Sequence, residues 1–329
     1  MQPFTWDKPT DEARALAGGG GANAQYIAGG TTLVDLMRIG VMAPAAVVDI
    51  TGLPYAQVED APGGGLKVGA LVPNSDLAEH AGVATRFPVL REALLSGASP
   101  QLRNLATTGG NLMQRTRCPY FRDPAVTACN KRKPGSGCAA MEGYNRSHAV
   151  LGGSAQCIAT HPSDMAVAML ALDAIVHVVG PGGARTLPVA TLHTLPGEHP
   201  EIESTLARGD LITHVELPAT PFAAKSHYVK ARDRASYAFA LASAGVAVEL
   251  AGGAFGQTRV VLGGVGTKPW RSLEAEAALA GQPISTATFA KAAEAALTGA
   301  VGKQFNTFKI ELAKRTLVRA LEEVTGGAK

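Results

Sequence analysis

Apolar and polar positions along the chain switch between two periods. QYIAGGTTLVDLMRIG opens on a short strand-like run, breaks at Gly29 and Gly30, and resumes with Leu33, Leu36 and Met37 at helical spacing, which predicts strand, turn and helix. AVVDI (46–50) and LKVGAL (66–71) read as further strands, the second leaving the turn at Gly63, Gly64 and Gly65. Helical spacing follows from Asn74 to Ala81 and from Phe87 to Leu95, before SGASPQLRNLATTGGNLMQR brings a second glycine pair. SDMAVAMLALDAIVHVVG predicts a helix capped by Ser163 or Asp164 that runs into a strand, with PGGA as the turn. Beyond the proline-bearing ELPATPFAAKS the pattern changes. KSHYVKARDRASYAFALASAGVAVEL, RVVLGGVG and helical patterns from Arg271, Thr286 and Phe305 predict a small sheet covered by helices. The reading is α+β, with domains at 1–220 and 221–329. The Gly18–Gly21 run reads as a flexible surface loop.

Periodicity stops between about 115 and 157, where Cys, Arg, Lys, Pro and Gly dominate. All four cysteines of the chain, Cys118, Cys129, Cys138 and Cys157, fall in this ordered insertion. Their spacing matches neither zinc knuckles nor the common ferredoxin runs. Their crowding, away from every apolar element, indicates that they act together, as cluster ligands, a zinc site or two disulfides. Arg115, Arg117, Arg122, Lys131, Arg132 and Lys133 offset the charge of a thiolate-bound cluster or form a solvated basic loop.

Composition narrows the classes. A chain of 329 residues, 46% hydrophobic and 17% charged, is long enough for two packed units and reads as globular. A net charge of +3 without a basic stripe argues against nucleic acid as a partner. Asp7, Asp11 and Glu12 stand where a secretory signal carries basic and apolar residues, and no apolar run is long enough to span a bilayer. The expectation is a soluble protein, cytoplasmic by its own sequence or periplasmic if exported with a signal-bearing partner. No Ser/His/Asp or paired-carboxylate pattern stands out, and His161, His177 and His214 read as structural or surface histidines.

The two glycine pairs carry the candidate chemistry. AGGTTL sits where a strand hands over to a helix, so backbone N–H groups there can hold a diphosphate. ATTGGN adds the hydroxyls of Thr107 and Thr108 and the amide of Asn111. Two such loops in one domain suit one elongated, diphosphate-linked dinucleotide, and the absence of GxGxxG argues against a Rossmann site.

AGGTTLVDLMRIG, LRNLATTGGNL, PSDMAVAMLALDAIV, GGARTLP, VKARDRASYAFALASAGV and VLGGVGTKPWRS occur in the order seen in the flavoprotein subunits of xanthine dehydrogenases, carbon monoxide dehydrogenases and hydroxybenzoyl-CoA reductases, and the chain resembles that family over nearly its whole length. The resemblance implies a two-part FAD-binding domain of the vanillyl-alcohol-oxidase type, then an α/β C-terminal domain. It implies that Ile27, Ala28, Gly29, Gly30, Thr31, Thr32 and Leu33 form one FAD loop, and Thr107, Thr108, Gly109, Gly110 and Asn111 the other. By the same resemblance Asp164 accepts hydrogen bonds from flavin-side hydroxyls, Leu211 lines the flavin, and Lys230 stands near the isoalloxazine, where a cation favours the anionic reduced form. Gly97 replaces an aromatic that some relatives set beside the flavin. Shorter relatives lack the cysteine insertion. Its presence resembles the hydroxybenzoyl-CoA reductase β subunit and the FAD subunit of periplasmic aldehyde oxidoreductases, which implies a [4Fe–4S] cluster on the four cysteines. Implied partners are a large molybdenum-cofactor subunit, a small subunit with two [2Fe–2S] clusters and an external electron acceptor. Two other classes stay open on the residues alone: a self-contained flavin reductase or oxidase, and a non-catalytic metal-bound assembly subunit.

Overall fold

The computed structural model describes residues 1–327 and contains three sheets. Strands β1 (Thr5–Asp7), β2 (Ala24–Ile27) and β3 (Ala46–Asp49) make a parallel sheet in the order β1-β3-β2, with Ile27 opposite Asp49. From β2 the chain turns through Gly29 and Gly30 into the helix Leu33–Arg38, whose buried side chains are Leu36 and Met37. The glycine run at 18–21 is not the loose loop expected of it. Gly18 and Gly19 end the helix Glu12–Gly19, and a Cβ on Gly19 would stand 2.1 Å from the Tyr26 hydroxyl oxygen. Glycine is needed there because Tyr26 crosses it to donate to the Gly209 carbonyl at 3.0 Å.

The second sheet is antiparallel. It joins β4 (Val58–Asp60), β5 (Leu66–Gly69), β6 (Ile175–Gly180), β7 (Gly183–Pro188) and β8 (Leu211–Leu217) in the order β4-β5-β8-β6-β7. Alternation along β6 turns Val176 and Val178 inward, as the period of two requires. The second glycine loop and the cysteine insertion are extruded between β5 and β6, so both ride on this sheet.

A third sheet, in the order β12-β11-β10-β9, is built from β9 (Ser226–Ala231), β10 (Ala242–Ala251), β11 (Ala254–Gly263) and β12 (Trp270–Arg271). The helices Leu273–Leu279, Thr286–Ala296 and Phe308–Thr325 share its core. The last begins three residues after the expected Phe305, because the Asn306 side chain accepts from the Lys303 amide at 2.6 Å and holds the preceding turn.

The helix Asp164–Ala171 joins the second and third sheets. All eight of its residues are buried, which its apolar circumference, MAVAMLA, requires. It packs on β10 and β11 and shares a core with Val68, Val176 and Val215 of the second sheet. Ser163 caps it, Oγ accepting from the Ala166 amide at 2.9 Å, so the alternative cap, Asp164, is released for other contacts.

Within the insertion the regular element is the short helix Pro119–Arg122, and side chains replace a ladder elsewhere. The Arg132 guanidinium donates to the carbonyls of Tyr120, Phe121, Asp123 and Val126. Arg122 forks onto Asp35 of the first sheet's helix at 2.7 and 3.1 Å. On the opposite side the wholly buried Lys309 donates to the carbonyls of Ser147, His148 and Gly264 at 3.2, 2.9 and 2.6 Å.

Candidate cofactor-binding cleft

The two glycine loops meet. A Cβ added to Gly29 would lie 1.7 Å from the carbonyl oxygen of Leu105, the residue two before Thr107, so the first loop is pressed against the approach to the second. Gly30 adopts φ +71°, and Thr107 caps the helix Thr108–Leu112 by accepting from the Gly110 amide at 3.3 Å.

The loops differ in what they offer. Among the described residues, the amides of Gly29, Gly30, Thr31 and Thr32 donate to no protein group. In the second loop the amides are already used: Thr108 donates to Val72 O, Gly109 to Ala70 O and Asn111 to Thr107 O, at 3.0, 2.8 and 2.8 Å. From Thr108 to Asn111 the second loop therefore offers no free backbone amide. The carbonyls that follow β5 claim the second loop's N–H groups, and Thr108, fully buried, also donates its hydroxyl to Val72 O at 3.1 Å. What the second loop presents instead is the Asn111 side chain. Its Oδ1 accepts from Gln114 Nε2 at 2.7 Å and Ser163 Oγ at 2.6 Å, which leaves the Asn111 NH2 as a donor with no protein acceptor.

Three cavities adjoin at this junction. One, of about 470 Å³, is lined by all the expected first-loop residues from Ile27 to Leu33, with Thr107 and Gly110. A second, of about 820 Å³, is reached past Thr31, Thr32, Gly110 and Asn111 and contains Gly97, Asp164 and Lys230. The third, of about 460 Å³, holds Gly109 and Leu211 beside Tyr26. The structure thus gathers the expected residues, Thr108 excepted, around one branched cleft. Leu211 and Lys230 line different arms of it.

Lys230 does not stand alone. Its Nζ lies 2.8 Å from Asp164 Oδ2 and 3.0 Å from the Ser96 carbonyl, with the two charged side chains 3% and 9% exposed. The carboxylate offsets the charge Lys230 would otherwise direct at a ligand. Asp164 also accepts from the Tyr228 hydroxyl at 2.6 Å, and burial, then the Asp164 charge, push the Tyr228 phenol well above its ordinary range. Tyr228 was missed by the sequence reading; its signal was the position two before Lys230 on the same strand face. Among the described residues three non-glycine residues have positive φ, and two of them, Ala98 at +50° and Tyr237 at +51°, line this same cavity.

His161 and His193 were not expected here either. Their rings, 4.3 Å apart, form part of the first cavity's wall, and burial lowers the pKa of both. His177 and His214 pair across β6 and β8, as structural residues do.

The four cysteines also converge. Cys118, Cys129, Cys138 and Cys157 line one small cavity with Tyr120, Asn130 and His148, all four as free thiols, and Cys129 opposes Cys138 in a β-bridge. Among the described residues no three His, Cys, Asp or Glu side chains converge closely enough to hold a single metal ion. Cys157 lines the first-loop cavity as well. The insertion's cations are mostly committed elsewhere: Arg115 and Lys131 share Glu203, Arg122 holds Asp35 and Arg132 holds carbonyls. They brace the insertion, so these four are not a solvated basic loop, while the Lys131 charge still acts on the Cys157 thiol.

Comparison with known proteins agrees with this architecture. Residues 2–220 match the family "FAD binding domain in molybdopterin dehydrogenase", and residues 226–324 match "CO dehydrogenase flavoprotein C-terminal domain". The chain is 48% identical over 332 residues, covering 100% of both chains, to the aldehyde oxidoreductase FAD-binding subunit PaoB of Escherichia coli (strain K12). It is 24% identical to the glyceraldehyde dehydrogenase medium chain of Sulfolobus acidocaldarius, over 81% of this chain and 76% of that one. Its fold resembles that of a chain in the carbon monoxide dehydrogenase of Hydrogenophaga pseudoflava, with a TM-score of 0.77 and 23% identity over 100% and 99% of the two chains. No helix among the described residues is long and apolar enough to cross a membrane. The free amides beside Gly29, the Asn111 donor facing the same cleft and the match across both domains lead to one conclusion: the chain belongs to the family of FAD-binding flavoproteins of the molybdopterin dehydrogenases.

Proposed function

We propose that this chain is the FAD-carrying electron-transfer subunit of a molybdenum-dependent aldehyde oxidoreductase. In this reading a large molybdenum-cofactor subunit oxidises the aldehyde, a small subunit with two [2Fe–2S] clusters delivers the electrons, and an external acceptor removes them. Residues 1–220 form the FAD-binding domain, with the insertion at about 115–157, and residues 221–329 form the C-terminal domain. The observation that carries the reading is the row of four unengaged amides from Gly29 to Thr32, with the Asn111 NH2 in the arm of the cleft that Thr31 and Thr32 also line.

The residues fit the group. The Gly29–Thr32 amides and Thr31 and Thr32 hydroxyls supply donors for a pyrophosphate, and the closeness of Gly29 to Leu105 leaves no room for a side chain that would crowd it. The Lys230–Asp164 pair lines one arm of the cleft and Leu211 another, and both would contact bound FAD. When bound, FAD supplies the capacity to accept electrons one at a time and to pass them on singly or in pairs. No side chain of this chain is needed as a nucleophile or general base.

The four cysteines bind a [4Fe–4S] cluster in this reading. Their convergence on one cavity supports a single shared centre. Anaerobic purification of the full chain, with flavin, iron, sulfide and zinc measured per chain, tests both parts. FAD with matching iron and sulfide is expected. Absence of flavin sinks the first part, and zinc without sulfide sinks the second.

A further inference from the structure

His148 lies within the insertion, between Cys138 and Cys157, and reaches across to the first of the four thiols. Its Nε2 stands 3.1 Å from Cys118 Sγ, and the residue is 1% exposed. Among the described residues it is the one side chain outside the cysteines that bonds to any of the four sulfurs; Cys157, by contrast, accepts from the backbone amide of Ala159 at 3.4 Å.

The proton's place follows from chemistry. A thiolate bound to metal carries no hydrogen, so the contact is attractive only if Nε2 bears the proton and donates it. Nδ1, buried and without a protein partner, is then the bare nitrogen of the ring. The reverse tautomer would set two lone pairs against each other across the same gap.

The ring is held from the C-terminal domain. The His148 amide donates to Asn145 O at 2.9 Å, and its carbonyl accepts from Lys309 Nζ at 2.9 Å and Asn306 Nδ2 at 3.3 Å. Lys309 lies in the first turn of the helix Phe308–Thr325, and Asn306 just precedes that helix. An imidazole anchored at both backbone ends has little freedom to leave the sulfur.

We propose that His148 is a positioning residue that sets the reduction potential of the cysteine-bound cluster by donating Nε2–H to Cys118 Sγ, with its placement fixed by Lys309 and Asn306. The inference rests on the cluster reading above. A donor at a ligand sulfur stabilises the more negative, reduced cluster, so its loss lowers the potential. No bond to iron is made or broken by the histidine, and no proton leaves it.

The test uses the full-length chain purified anaerobically, with iron and sulfide assayed first. If the wild-type chain holds no iron and sulfide, the cluster reading fails and this inference goes with it. With the cluster present, redox titration followed by electron paramagnetic resonance compares wild type with His148→Leu and His148→Gln. His148→Leu is expected to make reduction about tenfold less favourable, a fall of about 59 mV for one electron. His148→Gln, which keeps a donor at similar reach, should stay near wild type. A leucine variant with unchanged potential, or a glutamine variant that shifts as far as leucine, overturns the proposal. Should His148→Leu fail to hold its cluster, wild-type protein labelled with 15N-histidine decides: the reduced cluster should show coupling to one imidazole nitrogen, and its absence overturns the proposal.

Discussion

Lys230 Nζ and Asp164 Oδ2 lie 2.8 Å apart in a wall of the cleft, joining the first strand of the C-terminal sheet to the start of the helix at Asp164. A buried pair broken on one side leaves an uncompensated charge. Lys230→Met should therefore cost about 3–5 kcal/mol of stability, measured by denaturant unfolding. The double variant Lys230→Met/Asp164→Leu should recover part of that loss, because neither charge is then stranded. Equal loss in the single and double variants would show that packing, not charge, matters there.

Gly29 should tolerate no side chain. With a Cβ 1.7 Å from the Leu105 carbonyl oxygen, Gly29→Ala must move one loop away from the other. The expected result is loss of copurifying flavin with a stability cost of about 1–3 kcal/mol. Gly40→Ala serves as a contrast: its φ of +75° brings strain but nothing lies within 4 Å, so flavin content should hold.

A pH response is expected at the junction of the domains. His227 Nδ1 is 2.9 Å from Glu92 Oε2, and its Nε2 faces Glu323, which Arg319 also contacts. The Glu92 hydrogen bond first, and then Glu92's and Glu323's charges, raise its pKa above the ordinary 6.5. A raised histidine binds its proton more tightly when folded. Its stabilisation is complete below 6.5 and fades as pH climbs through the folded value. Lys309, lowered by burial to about 7, pushes the other way as pH rises above that value, so wild type alone will not isolate the histidine. The stability difference between wild type and His227→Gln, followed by unfolding from pH 5 to 9, should shrink with rising pH; a constant difference would exclude the mechanism.

On the cluster reading proposed above, stripping iron should loosen the insertion before anything else. Arg132 organises it through four carbonyls, but little apolar packing backs them. Chelation under anaerobic conditions is expected to speed proteolysis between 115 and 157 while 226–324 stays protected. Unchanged cleavage there would mean that the insertion stands without metal.

Much of this was legible in the chain. The glycine turn at 29–30 announced itself because strand, turn and helix signals are local. The cysteine insertion was visible as a loss of periodicity. What escaped notice depends on residues far apart in sequence: Lys230 meets Asp164 across 66 positions, and Arg122 meets Asp35 across 87. No local pattern shows that Thr108 and Gly109 spend their amides on Val72 and Ala70, which turned an apparent second cradle into a scaffold for Asn111. Gly19 misled for the same reason, since Tyr26 fills its space from the next strand.

Cys157 belongs to two walls at once, closing the thiol cavity on one side and the first-loop cleft on the other. Whatever fixes that sulfur also fixes part of the surface on which the dinucleotide rests. On the cluster reading, maturation then acquires an order: a chain still awaiting its inorganic centre offers an unfinished berth to the organic one. Damage to either should be visible in the occupancy of both.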